Sequence, residues 1–255
     1  LRHSNQAVVD ALSSIIEFRS AESGRHVLRL RRLTQILLED VARSCPEYGL
    51  TEREIRSISS AAALHDIGKI AIPDAILNKN QPLTPQEFEV MKTHTLSGSR
   101  MLENLSGAAD QDYLRYAYHI CRYHHERWDG RGYPEGLRGD QIPLCAQVVG
   151  LADAFDALTS DRAYKAAYPY EKAVNMILAG ECGTFSPRLL ECFKHVRGQF
   201  AELVRCPEDI VPGDLELPAP EGTGQIDTLQ LLRNKYQALL HYTNATVVEV
   251  DFDQK

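Results

Sequence analysis

The sequence predicts an all-α protein, and three observations favour this fold class. Apolar residues recur at intervals of three and four through most of the first 205 residues, which places them on one face of a helix. No segment before residue 210 alternates apolar and polar residues convincingly, as a half-buried strand would. Helix-start signals precede two of the periodic segments, because Thr51 stands three residues before Glu54 and Thr84 is followed by Pro85.

The periodic segments divide the body of the chain into successive helices. In the second segment, for example, Val27, Leu30 and Leu37 share one face. The expected helices cover residues 5–19, 24–44, 51–66, 84–105, 113–123, 144–160, 170–179 and 186–205. After the helix at 113–123, Gly130 and Gly132 permit a tight turn that other residues resist.

The last part of the chain has a different composition. Residues 212–225 are rich in Pro, Gly and Glu and are typical of a linker, and a helical pattern at 229–240 and a strand-like pattern at 246–252 follow. We interpret this tail as the start of a further domain, and the alternative is a tail that folds back or stays disordered. The expected division is an N-terminal helix at 1–20, a compact domain at 21–210 and the tail at 211–255.

Composition and charge are those of an ordinary globular protein. Hydrophobic residues make up 44% and charged residues 25% of the 255 residues, so the chain can bury a large core. The net charge of -7 gives no overall attraction to DNA or to an anionic membrane. No membrane span or secretory leader is visible. Six cysteines without a Cys-x-x-Cys pair suit a reducing compartment, so the expected location is the cytoplasm.

Histidines and carboxylates recur on successive predicted helices. The candidate metal ligands are Glu22, His26, His65, Asp66, His94, His124, His125 and Asp153. A helical bundle can bring one such group from each helix to a common centre. Any one histidine alone would more often be an ordinary surface or core residue, or would satisfy the last carbonyls of a helix. The full set is hard to explain in that way, so the sequence predicts a metal centre.

The number and type of the ligands limit the metals. Imidazole and carboxylate groups without thiolates suit borderline divalent ions and argue against a structural zinc site. Eight ligands exceed what one ion needs, and two ions ~3.5–4 Å apart with a bridging carboxylate suit phosphoester hydrolysis. Asp66 is the predicted bridge because it directly follows His65. Glu22 and His26 would share a helix face at i,i+4 and could hold a third ion.

Five motifs resemble the HD-GYP subfamily of the HD metal-dependent phosphohydrolases, over roughly residues 5–205. They are Glu22–His26, His65–Lys69, Met91–His94, His124–Pro134 and Asp153–Lys165. A His-Asp pair alone would be weak evidence, whereas five motifs in the same order are specific. The resemblance implies an HD-superfamily helical bundle with the C-terminal extension of HD-GYP proteins. It also implies hydrolysis of cyclic di-GMP at a centre of two or three metal ions, giving a linear dinucleotide and, in some members, GMP.

The same resemblance assigns roles to individual residues. All eight candidate ligands would bind metal, with Fe or Mn as the expected ions and Ni, Zn or Mg as alternatives. Asp66 and Lys69 would act in catalysis. The residues on the substrate side would be Lys69, Tyr133, Asp156, Arg162 and Lys165. The chemistry of these side chains agrees with the assigned roles. The Arg162 guanidinium can contact a phosphate through two N–H groups, and Lys69 could stabilise or protonate the leaving 3′ oxygen.

Several alternatives stay open at this point. Asp156 shares a helix face with Asp153 and could support a metal ligand or contact a guanine. Tyr133 could pack within its turn, line the pocket mouth or contact a diguanylate cyclase partner. Lys69, or Arg162 and Lys165 as a pair, could simply be solvated. The substrate could instead be cyclic GMP-AMP, or the chain could be a non-catalytic module that binds a cyclic dinucleotide or a cyclase.

The chain ends and the resemblance together suggest a larger signalling protein. Leu1 opens directly into a helical pattern, which suggests a fragment. Together with the chain ends, the resemblance implies sensory or receiver domains on either side, and it implies a homodimer. One residue departs from the family pattern, since Ser186 precedes Pro187 where the family often has Asp. Serine caps a helix about as well as aspartate, so the fold should be kept. Loss of a supporting carboxylate would instead lower metal affinity or turnover.

Overall fold

The computed structural model describes residues 26–103, 111–161 and 166–205. Within these residues the chain forms nine α-helices and no β-strand, with one isolated bridge between Asp129 and Arg138. The helices are α1 (His26–Ser44), α2 (Glu52–Ala61), α3 (Asp74–Leu77), α4 (Pro85–Lys92), α5 (His94–Glu103), α6 (Gln111–Tyr123), α7 (Leu144–Thr159), α8 (Tyr170–Leu178) and α9 (Pro187–Arg205). The predicted all-α fold is confirmed. The predicted helix at 5–19, the linker and the tail lie outside the described residues.

Helix α1 is at the centre of the body and packs against α2, α7 and α9. Its apolar face is fully buried at Leu30, Leu37 and Leu38. Aromatic rings join α7 to α9, where the ring centroid of Phe155 lies 5.9 Å from that of Phe193 and 5.0 Å from that of Phe200. This core holds α1 and α7 side by side, which brings the start of α1 close to the middle of α7. Within the described residues, no helix combines the length and apolar character needed to cross a membrane.

Both predicted helix starts are confirmed. The Thr51 hydroxyl accepts a hydrogen bond from the Glu54 backbone N–H, and the Glu54 carboxylate accepts one from the Thr51 N–H. Thr84 and Glu87 form the same reciprocal pair at the start of α4. These interactions satisfy backbone donors that the first turn of a helix leaves unpaired.

The prediction of one helix over residues 51–66 was wrong at its C-terminal end. Helix α2 ends at Ala61, and two 3₁₀ segments follow at Ala62–Leu64 and Ile67–Ala71. The reason is a close backbone approach, because a Cβ atom on Gly68 would lie 1.9 Å from the carbonyl oxygen of His94. The tighter turns and the missing side chain let this segment pack directly on α5.

The predicted single helix over residues 84–105 is two helices, α4 and α5, separated by Thr93. The Thr93 hydroxyl donates a hydrogen bond to the Val90 carbonyl oxygen at 2.7 Å. Such a local bond competes with the regular helical pattern and accompanies a change of direction. As a consequence His94 is the first residue of α5, and its side chain points into the body rather than along a continuous helix.

Candidate metal centre

The predicted ligands that the structure describes converge in two adjacent groups. The first group is Asp66, His94, His124 and His125, and the second is His26, His65 and Asp153. Within each group every residue offers a ligand atom within 4.8 Å of those of the others. Glu22, the remaining predicted ligand, lies outside the described residues.

The irregular parts of the backbone position these side chains. His65 and Asp66 lie between the two 3₁₀ segments, and His124 directly follows α6. Helix α7 reaches this point because Gly150 has no side chain, and a Cβ atom there would lie 2.5 Å from the His124 carbonyl oxygen. Asp153 is three residues further along α7 and therefore faces the same centre.

Four imidazoles are fixed in the same way, through the Nδ1 atom. The distances are 2.7 Å from His26 to an Asp156 carboxylate oxygen, 3.0 Å from His65 to the Ala62 carbonyl, 2.8 Å from His94 to the Met91 carbonyl and 3.0 Å from His124 to the Ile120 carbonyl. A carbonyl or carboxylate at Nδ1 requires that this nitrogen carry the proton. The Nε2 atom of each ring is then an acceptor, which is the tautomer that binds a metal.

The Nε2 atoms are buried and lack hydrogen bonds, which is the property expected of metal ligands. Nε2 of His26, His65, His94 and His124, together with Oδ1 of Asp66, makes no hydrogen bond within the part of the chain that the structure describes. Buried polar atoms in proteins are nearly always paired, because leaving one unpaired costs about 1–3 kcal/mol. Five such atoms directed at one another therefore fit a group of divalent cations.

Asp66 lies between the two ligand groups. Its Oδ1 atom is 3.2 Å from Nε2 of His94 and 3.8 Å from Nε2 of His124. Its Oδ2 atom is 3.0 Å from Nε2 of His65 and 2.7 Å from Nζ of Lys69. Because one oxygen faces each group, this carboxylate has the geometry needed to bridge two ions.

Burial and the neighbouring charges shift the pKa values of these groups in opposite directions. Burial lowers the pKa of His65, but Asp66 outweighs it and raises that pKa to about 9. Burial and the nearby His65 lower the pKa of His124 to about 3. Burial raises the pKa of Asp66, yet Lys69 and His65 hold it well below its usual range. At neutral pH the metal-free centre therefore combines an ionised Asp66 carboxylate and a neutral His124 with a protonated His65, and a metal ion that binds His65 must displace its proton.

A family profile described as "HD domain" matches residues 12–187, which include both ligand groups. The chain belongs to the HD-domain family. The His65-Asp66 pair of this HD domain is the point at which the two ligand groups meet. The resemblance inferred from the sequence motifs is therefore confirmed at the level of the HD superfamily.

Curated relatives give further comparisons for the HD domain. This chain is 41% identical over 204 residues to a "Probable cyclic di-GMP phosphodiesterase" of Vibrio cholerae, and the match covers 78% of this chain and 46% of the relative. It is 39% identical over 202 residues to a "Cyclic di-GMP phosphodiesterase" of Thermotoga maritima, covering 79% of this chain and 52% of the relative. The chain thus spans about half the length of these relatives.

A solved structure supports the fold alone. The crystal structure of a cyclic GMP-AMP-specific phosphodiesterase of Vibrio cholerae, V-cGAP3, matches with a TM-score of 0.61. The match covers 93% of this chain and 60% of that chain at 15% sequence identity. This similarity agrees with the helical architecture described above.

Asp156 lies behind the HD-domain metal centre rather than on its open side. Its Oδ2 atom is 2.7 Å from Nδ1 of His26, and its Oδ1 atom accepts a hydrogen bond from Nε of Arg29 at 2.6 Å. Burial raises its pKa, but His26 and Arg29 lower it to about 2. With 2% exposure and both oxygens engaged, Asp156 is placed to orient His26, so the geometry does not favour the substrate contact assigned to it above. Sequence reasoning missed Arg29, although its i,i+3 spacing from His26 was a usable signal.

Lys69 and Tyr133, two residues assigned to the substrate side, lie at the centre. The Lys69 ammonium is 2.7 Å from the Asp66 carboxylate. The Tyr133 ring stacks on the His125 ring, with centroids 4.7 Å apart and an angle of 30° between the planes. Arg162 and Lys165 lie outside the described residues, so their assignment stays a prediction.

Glu126, a second residue that sequence reasoning left without a role, holds the loop that follows Tyr133. Its buried carboxylate accepts hydrogen bonds from the backbone N–H groups of Glu135, Gly136 and Leu137 at 2.7, 3.0 and 3.0 Å. Three donors converging on one buried carboxylate fix the backbone of this loop. Because Tyr133 stands between Glu126 and these donors in the sequence, the interaction also limits where its ring can lie.

Proposed function

We propose that this HD domain hydrolyses a phosphodiester bond of cyclic di-GMP and releases a linear dinucleotide. The observation that carries the proposal is the position of Asp66, whose two oxygens face two groups of buried imidazoles with unpaired Nε2 atoms. The names of two relatives support cyclic di-GMP as the substrate, because these relatives are similar to this chain over more than three quarters of its length. Hydrolysis at one bond opens the ring, and a second hydrolysis would yield GMP.

The ligand set suits at least two divalent ions, one in each ligand group and both in contact with Asp66. When bound, such ions stabilise the charge that develops on the phosphoryl oxygens and lower the pKa of a water molecule at neutral pH. Fe or Mn are the ions we propose, with Ni, Zn and Mg as alternatives, because nitrogen and oxygen ligands without thiolates suit them. A third ion would need Glu22 together with His26.

Lys69 is the residue that we assign to the leaving group. In the hydrolysis, a water oxygen forms a bond to phosphorus, the bond from phosphorus to the 3′ oxygen breaks, and that oxygen gains a proton. The Lys69 ammonium lies beside Asp66 and would place a positive charge, and a proton, next to the departing oxygen. Asp66 would have two functions in this arrangement, since its carboxylate would help to hold the ions and is paired with the Lys69 ammonium.

The remaining cations and Tyr133 would bind the rest of the substrate. Arg162 and Lys165 follow the helix that bears Asp153, and we propose that they contact phosphate oxygens. The Tyr133 ring covers His125 and would line the entrance to the centre. The diguanylate cyclase partner, the flanking sensory or receiver domains and the homodimer stay predictions from the sequence.

Product analysis of the purified chain tests this function. The protein is loaded with Mn²⁺ or Fe²⁺, its metal content is verified by elemental analysis, and cyclic di-GMP hydrolysis is followed by chromatography. We expect a linear dinucleotide from the native chain and none from Asp66→Asn. Asp112→Asn is the matched control, because this carboxylate is 56% exposed and lies outside both ligand groups.

The product analysis distinguishes a cyclic di-GMP hydrolase from a non-catalytic receptor and from a cyclic GMP-AMP hydrolase. No linear product from a sample that contains the metals would overturn the proposal, and binding of cyclic di-GMP without turnover would favour a receptor. Cyclic GMP-AMP is added as a competing substrate, and the ratio of the two kcat/KM values determines the preference. We expect this ratio to favour cyclic di-GMP.

A further inference from the structure

Two aromatic rings and a lysine form a wall beside the metal centre, on the side of His125. The ring centroid of Phe88 lies 6.1 Å from that of Tyr133, with the planes at 84°. The Lys92 ammonium lies 5.6 Å from the Phe88 centroid and 5.8 Å from the Tyr133 centroid. Tyr133 in turn stacks on His125, so Phe88 is the outermost ring of a continuous series that starts at the metal ligands. We call Phe88, Lys92 and Tyr133 the aromatic wall.

Phe88 is the exposed member of the aromatic wall, whereas Lys92 and Tyr133 are half-buried. It is 45% exposed, and Val90, at 38%, is the other large exposed hydrophobic residue in the described ranges. A single exposed apolar residue is ordinary on a protein surface. The position of Phe88 is what distinguishes it, because its ring adjoins a tyrosine at the centre whereas Val90, two residues on, lies on a different side of α4.

We propose that Phe88 stacks against one nucleobase of the cyclic dinucleotide and is a substrate-binding residue of this site. The inference rests on the proposed function, since it requires a nucleotide substrate. A cyclic dinucleotide carries two bases on a ring with two phosphates. If one phosphate lies at the metal centre, a base must project to one side of it, and on the His125 side the aromatic wall is the surface that it meets.

The chemistry of the aromatic wall suits a base. Stacking on an aromatic ring is available to every nucleobase, because each has a π face, and loss of one such stack weakens binding substantially. Lys92 adds a positive charge that lies over both rings, although Glu89 partly neutralises it at 2.7 Å. Phe88 touches none of the metal ligands in the contacts described, so we expect it to affect substrate affinity and not the bond-breaking step.

A cyclic dinucleotide with one base replaced by 2-aminopurine tests the proposal by fluorescence, which stacking on an aromatic ring quenches. The measurement uses the full chain, with and without metal ions, and is followed by steady-state kinetics with cyclic di-GMP. We expect quenching with the native protein, its loss in Phe88→Ala and its recovery in Phe88→Tyr. In Phe88→Ala, KM should rise on the order of 10-fold with kcat within about twofold of native, as expected for one lost stack.

Val90→Ala is the matched control, because it removes the other exposed apolar side chain of α4 and should leave quenching and KM unchanged. If Phe88→Ala binds and quenches like the native protein while hydrolysis is intact, this inference is overturned and the proposed function stands. A fall in kcat without a change in KM would also contradict it. If the native protein neither binds nor hydrolyses the dinucleotide, both fail, and a partner protein becomes the candidate occupant of the aromatic wall.

Discussion

The Nδ1 atom of His26 lies 2.7 Å from a carboxylate oxygen of Asp156, although the two residues are 130 positions apart in the chain. The same carboxylate accepts hydrogen bonds from Arg29 at 2.6 and 3.1 Å. Helices α1 and α7 are therefore joined by a buried ionic interaction directly behind the metal centre. A carboxylate behind a metal-binding imidazole fixes the orientation of the ring and increases its basicity.

Replacement of Asp156 by Asn should weaken metal binding without removing a ligand. Asn keeps the shape of the side chain but loses the charge that orients His26 and pairs with Arg29. We expect the affinity of the weaker ion to fall about 10–100-fold. Titration of the metal-free protein with Mn²⁺ measures the change, with Asp112→Asn as the control because that carboxylate is 56% exposed. Unchanged affinity in Asp156→Asn would show that the carboxylate does not support a ligand.

Gly68→Ala should destabilise the fold at the point where the His65-Asp66 segment packs on α5. A Cβ atom there would lie 1.9 Å from the backbone oxygen of His94, and backbone cannot move aside as a side chain can. We expect a loss of about 1–3 kcal/mol in the free energy of unfolding, measured by urea denaturation. Gly198→Ala is the control, because a Cβ atom at that position of α9 meets nothing within 4 Å. The control should be neutral or more stable by about 0.4–1 kcal/mol.

Protonation of Asp40 in α1 should account for part of the loss of folding stability in acid. Burial raises the pKa of this carboxyl, but hydrogen bonds from His195 and Arg43 outweigh it, so the pKa lies below its usual value. The ionised form therefore stabilises the fold above the unfolded pKa of about 3.9, and this contribution is lost as the pH falls through the folded pKa. We expect Asp40→Asn to be less stable than native at pH 7 and to lose less stability than native between pH 5 and pH 3.

Urea unfolding at several pH values measures the Asp40 effect. Asp112→Asn serves again as the control, and its acid-dependent loss should match that of the native protein. Parallel stability curves for the native protein and Asp40→Asn would contradict the role assigned to this carboxylate.

Glu126→Gln should loosen the loop after Tyr133 while leaving the metal ions in place. The amide of Gln has one acceptor oxygen, and its NH₂ group cannot accept from the backbone donors that Glu126 now binds. We expect a stability loss of about 1–3 kcal/mol and a higher KM for the dinucleotide. Glu181→Gln is the matched control, because that side chain is exposed and lies outside this loop. A Glu126→Gln protein that loses its metal instead would place this residue among the ligands.

Much of the candidate metal centre could be predicted from the sequence because each candidate ligand lies in a short local motif. His65 and Asp66 are adjacent, and His124 and His125 close a helix whose apolar periodicity is plain. The structure brings together all the predicted ligands that it describes. That convergence needed no knowledge of long-range contacts, only the rule that helices of one bundle share a core.

The parts that the sequence did not predict depend on contacts between distant segments. The 3₁₀ segments around His65 accompany the close packing of Gly68 on α5, which local propensity does not encode. For the same reason the role of Asp156 stayed open between a substrate contact and support of His26. Glu126 had no role until its three backbone partners were known.

Anomalous scattering from crystals of the Mn²⁺-loaded protein tests most directly whether Asp66 bridges two metal ions, as we propose. We expect at least two peaks, each about 2.0–2.3 Å from a different oxygen of Asp66, with one also near Nε2 of His65 and the other near Nε2 of His94. The same data from Asp66→Asn should show at least one of these peaks weakened or absent. Peaks that contact neither oxygen of Asp66, or a single ion held by surface residues, would contradict the account.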